Sequence, residues 1–393
     1  MLKGKTIILG VTGSIAAYKI ANLASSLVKL NADVHVIMTK NACNFINPIT
    51  FETLTSNKCI VDTFDRNFSY NVEHVSLAKK ADVFMVAPAS ANIIAKIRYG
   101  ICDDMLTTTF LACNCKKIIA PAMNTGMYLN PITQDNINYL INLGYDVLTP
   151  ATGRLACKDV GVGKMPEVDE ILEHILYNAT EHDLLNKNIL ITAGPTIEKI
   201  DPVRFITNHS SGKMGYALAY KAALRGANVT LLSGNVDLKP FYKVNKINFE
   251  SAEDLFNLVK ENIKQDIIIM SAAVADYTPN TYSDQKIKKS DSDMSIHLKR
   301  TNDILKYLGE NKDYYLVGFS METNNLIENS KAKLLKKNAD MICANNLYDE
   351  GAGFKVDTNK VTIIKKNDIV ELPVLTKNEV ADKILDEIIK ELK

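Results

Sequence analysis

Residues 5–19 read KTIILGVTGSIAAYK, and residues 187–201 read KNILITAGPTIEKID. Each stretch is a short β-branched run, followed by a glycine turn and then by a loop or a helix start. A buried parallel strand needs the apolar run, and the backbone N–H groups after the turn suit an anion such as phosphate. The chain therefore begins a nucleotide-type α/β unit twice, which predicts two reactions or two half-sites of one reaction.

Composition restricts the class of protein. With 393 residues, about two domains are expected, and contents of 47% hydrophobic and 23% charged residues are typical of a globular protein. The net charge of +1 gives no electrostatic footprint for nucleic acid. Apolar runs stay shorter than the roughly 18 residues of a membrane span. Seven irregularly spaced cysteines favour a reducing cytosol. We therefore expect a cytoplasmic protein with neither nucleic acid nor membrane as a partner.

Apolar periodicity divides the chain into alternating strands and helices. This alternation predicts an α/β fold of two doubly wound, Rossmann-like parallel-sheet domains. A polar stretch at 178–187 reads as the linker, so we place the domains at 1–180 and 187–393. The polar segment 278–300 is long for a plain connection and predicts a mobile flap over a site. Strands are expected at 6–9, 34–38, 83–86, 117–119, 188–192, 228–232, 267–270, 315–317 and 341–343.

In the first half, unusual residues follow the predicted strands, where ligands of doubly wound sheets bind. GVTGS at 10–14 lacks the G-x-G-x-x-G spacing, which leaves a single phosphate held with the help of Ser14, or a plain turn. Asn124 could bind the carboxylate of a ligand through its side-chain amide, or it could simply cap a helix. Cys157, in a glycine-punctuated loop, suits a proton donor or a buried small hydrophobe. His74 alone indicates a structural residue more often than a functional one.

In the second half, residues 201–215 run through a strand into a Ser/Gly-rich helix start. That start fits a phosphate cradle or a simple cap. Lys333 and Lys337 are four residues apart, which places both ammonium groups on one helix face, either toward a nucleotide or toward solvent.

Taken in order, His74, the turns Pro88–Asn92 and Pro121–Asn124 and the Leu-Ala-Cys loop resemble the flavin-containing cysteine decarboxylases. The second half resembles phosphopantothenoylcysteine synthetase. Together they resemble the bifunctional phosphopantothenoylcysteine decarboxylase/phosphopantothenate–cysteine ligases of coenzyme A biosynthesis. The resemblance implies an N-terminal flavodoxin-like flavoprotein domain and a C-terminal ligase domain.

For the N-terminal domain the resemblance implies an FMN cofactor. His74 matches the catalytic base, Asn124 the residue that holds the substrate carboxylate, and Cys157 the proton donor. Lys158 and Lys164 stand where Gly and Arg are expected. The residues implied to hold FMN are Gly13, Ser14, Thr39, Ser90, Asn92 and Thr107.

For the C-terminal domain the resemblance implies CTP as co-substrate, with Mg²⁺ whose protein ligands it does not identify. Asn208 matches the residue that helps an acyl-cytidylate react with cysteine, and Lys286 the cation that stabilises departing pyrophosphate. Ile197 stands where Arg is common. Ser211 and Gly212 match substrate-binding positions. CTP-binding positions are matched by Ser271, Ala272, Asp276, Lys286, Asn302, Asp303, Ile304, Leu305, Phe319, Lys333 and Lys337.

The implied function is CTP-dependent ligation of L-cysteine to 4′-phosphopantothenate, followed by FMN-dependent decarboxylation of 4′-phosphopantothenoylcysteine to 4′-phosphopantetheine. The resemblance also implies a homo-oligomer, with trimeric flavin domains and dimeric ligase domains that together make a dodecamer. One alternative is a two-domain NAD(P)-dependent reductase, against which the missing G-x-G-x-x-G spacing argues. Another is a non-catalytic flavin-binding regulatory subunit, against which Cys157 and Asn124 argue.

Overall fold

The structure, a computed structural model, describes residues 2–64, 73–154, 160–288, 294–346, 348–349, 353 and 356–392. The chain divides into two compact units, Met1–Thr180 and Glu181–Lys393. Each unit is an α/β layer structure around a mainly parallel sheet, as the alternation of strands and helices predicts.

The first unit is a wholly parallel sheet with the strand order β2-β1-β3-β4-β5. This is the flavodoxin-like order. The predicted strands are confirmed, and a short β5 extends the sheet. The elements are β1 (Thr6–Val11), α1 (Ile20–Lys29), β2 (Asp33–Met38), α2 (Pro48–Thr55), α3 (Glu73–Lys80), β3 (Val83–Ala89), α4 (Ala91–Tyr99), α5 (Met105–Ala112), β4 (Lys116–Pro121), α6 (Thr125–Leu129), α7 (Pro131–Asn142), β5 (Asp146–Val147), β6 (Ala151–Arg154), β7 (Val160–Lys164) and α8 (Val168–Ala179), with 3₁₀ turns at Ile15–Lys19 and Ala42–Asn44.

The core of the first unit lies between this sheet and its helices. Every residue of β1 and β3 is buried, as expected for strands covered on both faces. Phe84 of β3 packs edge-to-face on Phe110 of α5, with ring centroids 5.1 Å apart. Parallel pairing from Ile7 opposite Val83 to Gly10 opposite Val86 places the carboxyl ends of β1 and β3 side by side.

The second unit has a longer sheet, β12-β11-β8-β13-β16-β17-β19-β20. From β12 to β17 the pairing is parallel, and in chain order these strands run 3-2-1-4-5-6, the Rossmann order. The elements are β8 (Asn188–Ala193), β9 (Ile197–Lys199), β10 (Phe205–Thr207), α9 (Lys213–Leu224), β11 (Asn228–Ser233), β12 (Val244–Asn248), α10 (Ala252–Glu261), β13 (Ile267–Met270), β14 (Tyr277–Pro279), β15 (Leu298–Arg300), α11 (Ile304–Glu310), β16 (Tyr315–Glu322), α12 (Leu326–Lys336), β17 (Met341–Asn346), β18 (Thr358–Asn359), β19 (Thr362–Lys365), β20 (Ile369–Glu371), β21 (Leu375–Thr376) and α13 (Lys377–Leu392).

Three strands of this sheet are absent from the sequence prediction. β12 reads VNKIN, and its polar residues suit an edge strand better than the apolar runs used to find the others. β19 and β20 extend the sheet in the antiparallel sense beyond β17. The parallel pattern therefore describes most of the sheet but not its last two strands.

The segment predicted as a flap begins and ends in an antiparallel ribbon. β14 pairs with β15, with Tyr277 opposite Arg300. Residues 289–293 lie outside the described residues, and the mobility of the flap stays a prediction. None of the helices in the described part of the chain is long and apolar enough to cross a membrane.

Helix α9 approaches β8 so closely that position 215 has no room for a side chain. A Cβ on Gly215 would lie 2.5 Å from the Cβ of Ala193 and 2.9 Å from the carbonyl oxygen of Thr192. Because α9 begins just after Ser211 and Gly212, this approach determines where the helix start lies relative to the sheet.

We predict that Gly215→Ala destabilises the C-terminal unit by about 1–2 kcal/mol. Alanine gains about 1 kcal/mol in helix propensity, but overpacking costs about 1–3 kcal/mol, and the backbone atoms it meets have little freedom to move. Hydrogen exchange of the β8 amides in urea measures the change. Gly153→Ala is the control, because its Cβ would find no atom nearer than 3.6 Å. Unchanged exchange in Gly215→Ala would contradict the prediction.

Candidate functional site

A cavity of about 660 Å³ opens in the first unit beside the carboxyl ends of β1, β2 and β3. In the flavodoxin-like order, this end of β1 and β3 is the topological switch point, where ligands bind. Of the predicted FMN residues, the cavity is lined by Gly13, Thr39, Ser90 and Asn92.

Thr12, which the sequence prediction missed, joins the loops around this cavity. Its hydroxyl donates to the carbonyl of Pro88 at 2.6 Å and accepts from the backbone N–H of Ser90 at 3.2 Å. Only 2% of Thr12 is exposed. At the neighbouring position, a Cβ on Gly13 would lie 2.7 Å from the Cβ of Asn41. The backbone at Gly13 therefore runs past the Asn41 loop without a side chain. A bare backbone at a helix start suits a phosphate.

Two predicted FMN residues, Ser14 and Thr107, lie outside the described lining of the cavity. Ser14 caps the 3₁₀ turn, and its Oγ accepts from the backbone N–H of Ala16 at 3.4 Å. Thr107 is 3% exposed and forms a capping box with Asp104, to which its hydroxyl donates at 2.8 Å. Asp104 itself lines the cavity. Thr107 therefore acts on the cavity wall through Asp104.

Asn124 begins α6, where its Oδ1 accepts from the backbone N–H of Gly126 at 2.8 Å. The hairpin of β6 and β7 docks against this turn, because the N–H of Met123 donates to the carbonyl of Gly163 at 3.0 Å. Gly163 has φ +130°, and a Cβ there would lie 2.3 Å from the Met123 oxygen. The tight approach explains the glycines of the second hairpin strand.

The tip of this hairpin, residues 155–159, lies outside the described residues and includes Cys157 and Lys158. The strands that flank it are paired up to Arg154 and Val160. Lys164, at the base, forms an ion pair with Glu167 at 2.7 Å. His74 is the second residue of α3 and is half-buried. It does not belong to the described lining of the cavity.

In the second unit, two cavities of about 570 and 450 Å³ share part of their lining and form one cleft. The first includes Asn208, Ser211, Gly212 and Ser271, and the second includes Asn302, Asp303, Ile304, Leu305 and Lys337. The residues common to both are Ala272, Val274, Asp276, Phe319 and Lys333. The structure thus brings together the predicted substrate and CTP positions, with the exception of Lys286.

The loop after β13, which lies between the two cavities, is held by hydroxyl and amide groups. Oγ1 of the fully buried Thr192 accepts from the N–H groups of Ser271 and Ala272 at 3.1 and 3.0 Å. Oγ1 of Thr196 accepts from the N–H of Ala275 at 3.0 Å. Asn208 donates its Nδ2 to the carbonyl of Ala273 at 3.0 Å. The two threonines were missed from the sequence, since their partners are almost 80 residues away.

Two lysines line the cleft, Lys333 on the wall that both cavities share and Lys337 in the second cavity. Lys333 donates to the carbonyl of Phe319 at 2.8 Å. Burial, together with neighbouring Lys337, lowers the pKa of Lys333 in spite of nearby carboxylates. Lys337 forms an ion pair with Asp303. Burial tends to raise the pKa of Asp303, but hydrogen bonds from Lys337 and the Lys306 N–H bring it below its ordinary value. A wall of this kind favours a polyanion.

Two further lysines of the first cavity were missed from the sequence. Lys213 forms an ion pair with Asp357 at 2.6 Å. Lys377, only 7% exposed, donates to the carbonyl of Val356 and, at 3.2 Å, to those of Gly353 and Thr358. Burial and the charge of Lys213 lower the pKa of Lys377. No local pattern marks Lys377, which is simply the first residue of α13.

Lys286 is exposed and lies outside the described linings of both cavities. The backbone beside it is fixed, because the N–H of Ile287 donates to Asp201 at 3.1 Å. In the part of the chain that the structure describes, no group of three His, Cys, Asp or Glu side chains is placed to hold a metal ion.

Comparisons with known proteins agree with this division into two units. Residues 1–180 match the family described as Flavoprotein, and residues 184–392 match the DNA/pantothenate metabolism flavoprotein C-terminal domain. Among solved structures, a crystal structure of the C-terminal domain of Coenzyme A biosynthesis bifunctional protein CoaBC covers 54% of this chain and 98% of its own, with 46% identity and a TM-score of 0.47. An FMN-dependent cysteine decarboxylase, SpaF, covers 46% and 100%, with 29% identity and a TM-score of 0.40.

Two relatives are similar over almost the whole chain. The Coenzyme A biosynthesis bifunctional protein CoaBC of Bacillus subtilis (strain 168) is 46% identical over 395 residues, covering 99% of this chain and 97% of its own. The protein of the same name from Haemophilus influenzae is 42% identical over 393 residues, covering 99% and 98%. On this identity and the two domain matches, the chain belongs to the family of bifunctional coenzyme A biosynthesis proteins, enzymes that join a flavoprotein decarboxylase to a ligase.

Proposed function

We propose that residues 1–180 form an FMN-dependent decarboxylase of 4′-phosphopantothenoylcysteine and that residues 187–393 form a CTP-dependent phosphopantothenate–cysteine ligase. The observation that carries the proposal is the cleft of the second unit, whose shared wall holds Asp276, Phe319 and Lys333 between a phosphate-type helix start and a nucleotide-sized cavity. One half then makes the amide that the other half decarboxylates.

In the ligase reaction, the carboxylate of 4′-phosphopantothenate attacks the α-phosphorus of CTP, and pyrophosphate leaves. Lys333 and Lys337 would bind the nucleotide, and Lys286 would stabilise the charge on the departing pyrophosphate. The acyl-cytidylate then reacts with the cysteine amine, releasing CMP. Asn208, which is anchored to Ala273, would orient the acyl group for this step. Ser211 and Gly212 at the start of α9 would hold the substrate.

Mg²⁺ is expected to arrive with the triphosphate. It keeps several waters and usually binds through substrate phosphates and one or two carboxylates. Asp276, which lines both cavities of the cleft, would supply such a carboxylate.

The cavity of the first unit fits FMN through the bare backbone at Gly13 and the hydroxyls of Thr39 and Ser90. When bound, FMN supplies a two-electron acceptor that allows the substrate's CH₂–SH carbon to become a C=S group, an electron sink for loss of CO₂, and it later returns the electrons. His74 would take the proton in the oxidation, and Asn124 would hold the carboxylate. Cys157 would return a proton to the product.

We also infer that the protein works in the cytoplasm as a homo-oligomer. No disulfide joins any of the six described cysteines, which is usual for proteins of a reducing compartment. These are Cys43, Cys59, Cys102, Cys113, Cys115 and Cys343. Trimeric flavin domains and dimeric ligase domains on one chain would combine into a closed dodecamer.

The decisive experiment incubates the purified protein with 4′-phosphopantothenate, L-cysteine, CTP and Mg²⁺ and follows CO₂ and pyrophosphate together. Both should form in equal amounts, and the isolated protein should absorb at about 370 and 450 nm, as oxidised flavins do. Pyrophosphate without CO₂ would contradict the decarboxylase, and absence of pyrophosphate would contradict the ligase.

Replacing Gly163 by alanine should separate the two activities. A side chain at φ +130° costs about 1–3 kcal/mol, and here it also meets the Met123 carbonyl, so the hairpin must move away from the Asn124 turn. We expect the decarboxylation rate to fall about tenfold or more, while pyrophosphate release and flavin content stay unchanged.

The matched control for this prediction is Gly153→Ala in the other strand of the same hairpin, where the new Cβ makes only ordinary contact. Equal losses of decarboxylation in the two variants would show that docking of the hairpin is not the cause.

As the pH rises, the ligase should lose its activity toward CTP at a lower pH than it would if Lys333 had the pKa of an ordinary lysine. Lys333 is charged below its pKa, and that pKa is lowered from 10.5, so its charge is lost as the pH rises through the lowered value. We expect kcat/KM for CTP to decline below pH 10.5 and the decline to move to higher pH in Lys333→Arg, because arginine stays charged. Lys331→Arg, on the exposed face of the same helix, is the control and should leave the profile unchanged.

A further inference from the structure

The geometry points to Asp201 as a positioning residue for the ligation reaction, which holds the backbone beside Lys286 in place. This inference rests on the proposed role of Lys286. Asp201 lies in the turn between β9 and β10, and its side chain is fully buried.

Each of the two oxygens of the Asp201 carboxylate accepts hydrogen bonds. Oδ1 accepts from the N–H groups of Val203 and Arg204, both at 2.9 Å, which closes the turn. Oδ2 accepts from Nε and Nη2 of Arg204 at 2.9 and 2.5 Å, and from the N–H of Ile287 at 3.1 Å. Five hydrogen bonds compensate for the burial of the charge, which would be costly without them.

Asp201 and Arg204 together form a two-point grip: they hydrogen-bond both the backbone N–H and the backbone carbonyl of Ile287, a residue distant in sequence. Ile287 donates its N–H to Asp201, and its carbonyl accepts from Nη2 of Arg204 at 2.7 Å. These residues are more than 80 positions apart in sequence, so local folding does not explain the contact. Such a two-point grip fixes the direction of the chain as well as its position.

A second anchor lies on the other side of Lys286. The N–H of Ser283 donates to the carbonyl of Ile200 at 3.1 Å, next to Asp201 in sequence. Lys286 is thus held between anchors at 283 and 287. Among the described residues, none accepts a hydrogen bond from its ammonium group, so the backbone anchors alone set where its side chain starts.

The turn that contains Asp201 joins the antiparallel strands β9 and β10, and the predicted ligase residue Asn208 follows this hairpin. β10 ends at Thr207, whose hydroxyl donates to the carbonyl of Thr196 at 2.7 Å, and Asn208 follows directly. Asp201 therefore ties the segment of Lys286 to the β9–β10 hairpin, which Asn208 follows. The hydrogen bonds from Arg204 keep the pKa of Asp201 well below its usual range, so the grip stays ionised at neutral pH.

The first test measures hydrogen exchange at the Ile287 amide in the full-length protein. Asp201→Asn loses the charge that the Arg204 guanidinium requires, and we expect Ile287 exchange to rise about tenfold or more while the β8 amides keep their protection. The control, Asp284→Asn, changes an exposed carboxylate of the same segment and should leave Ile287 unaffected. Unchanged exchange in Asp201→Asn would overturn the inference.

The second test is a double-mutant cycle on pyrophosphate release. Asp201→Asn should lower kcat about tenfold with less than a twofold change in KM for CTP. In a Lys286→Ala background it should change kcat less than twofold, because the group it positions is gone. Equal losses in both backgrounds would mean a general structural effect and would overturn the inference.

The two tests separate this inference from the function on which it rests. If Lys286→Ala releases pyrophosphate at the normal rate, the role of Lys286 fails and the inference fails with it, whereas the exchange at Ile287 still reports whether the grip exists. Should Asp201→Asn not fold, Arg204→Lys serves as the second variant. It keeps the charge but lacks the second donor that Nε of Arg204 offers to Asp201, and we expect the same pattern with smaller changes.

Discussion

In each unit, the hydroxyl of a buried threonine at the carboxyl end of the unit's first strand joins the loops on which the cavity is built. In the N-terminal unit, Thr12 bonds to both sides of the turn after β3, at Pro88 and Ser90. In the C-terminal unit, Thr192 bonds to the turn after β13, at Ser271 and Ala272. In both sheets these are the strands on either side of the switch point. A hydroxyl that both donates and accepts can hold two loops without introducing charge.

The two units share this scaffold and differ in what they add to it. The N-terminal unit leaves bare backbone at Gly13 and surrounds it with hydroxyl and amide groups. The C-terminal unit adds lysines from α12 and α13, of which Lys333 and Lys377 are largely buried and have lowered pKa values. A buried cation without a full complement of anions favours a ligand that supplies negative charge. The chemistry of each cavity thus depends on side chains added around a common arrangement of strands.

Local sequence patterns predict the parts of the fold and of the sites that depend on neighbouring residues. The apolar runs of β1, β8 and β13 and the helix start at Gly212 are of this kind. Contacts between distant residues are not predictable in this way. Thr192 meets a loop about 80 residues away, and Lys377 meets a loop that only the folded sheet brings near it. The edge strand β12 escapes because its side chains are mostly polar.

The boundary between Thr180 and Glu181 has a consequence for how the cell obtains the two activities. Each cavity is lined, within the described ranges, by residues from one side of that boundary alone. What the continuous chain guarantees is supply: every round of translation delivers one decarboxylase unit and one ligase unit. The two enzyme units are thus produced in equal numbers, whatever the level of expression.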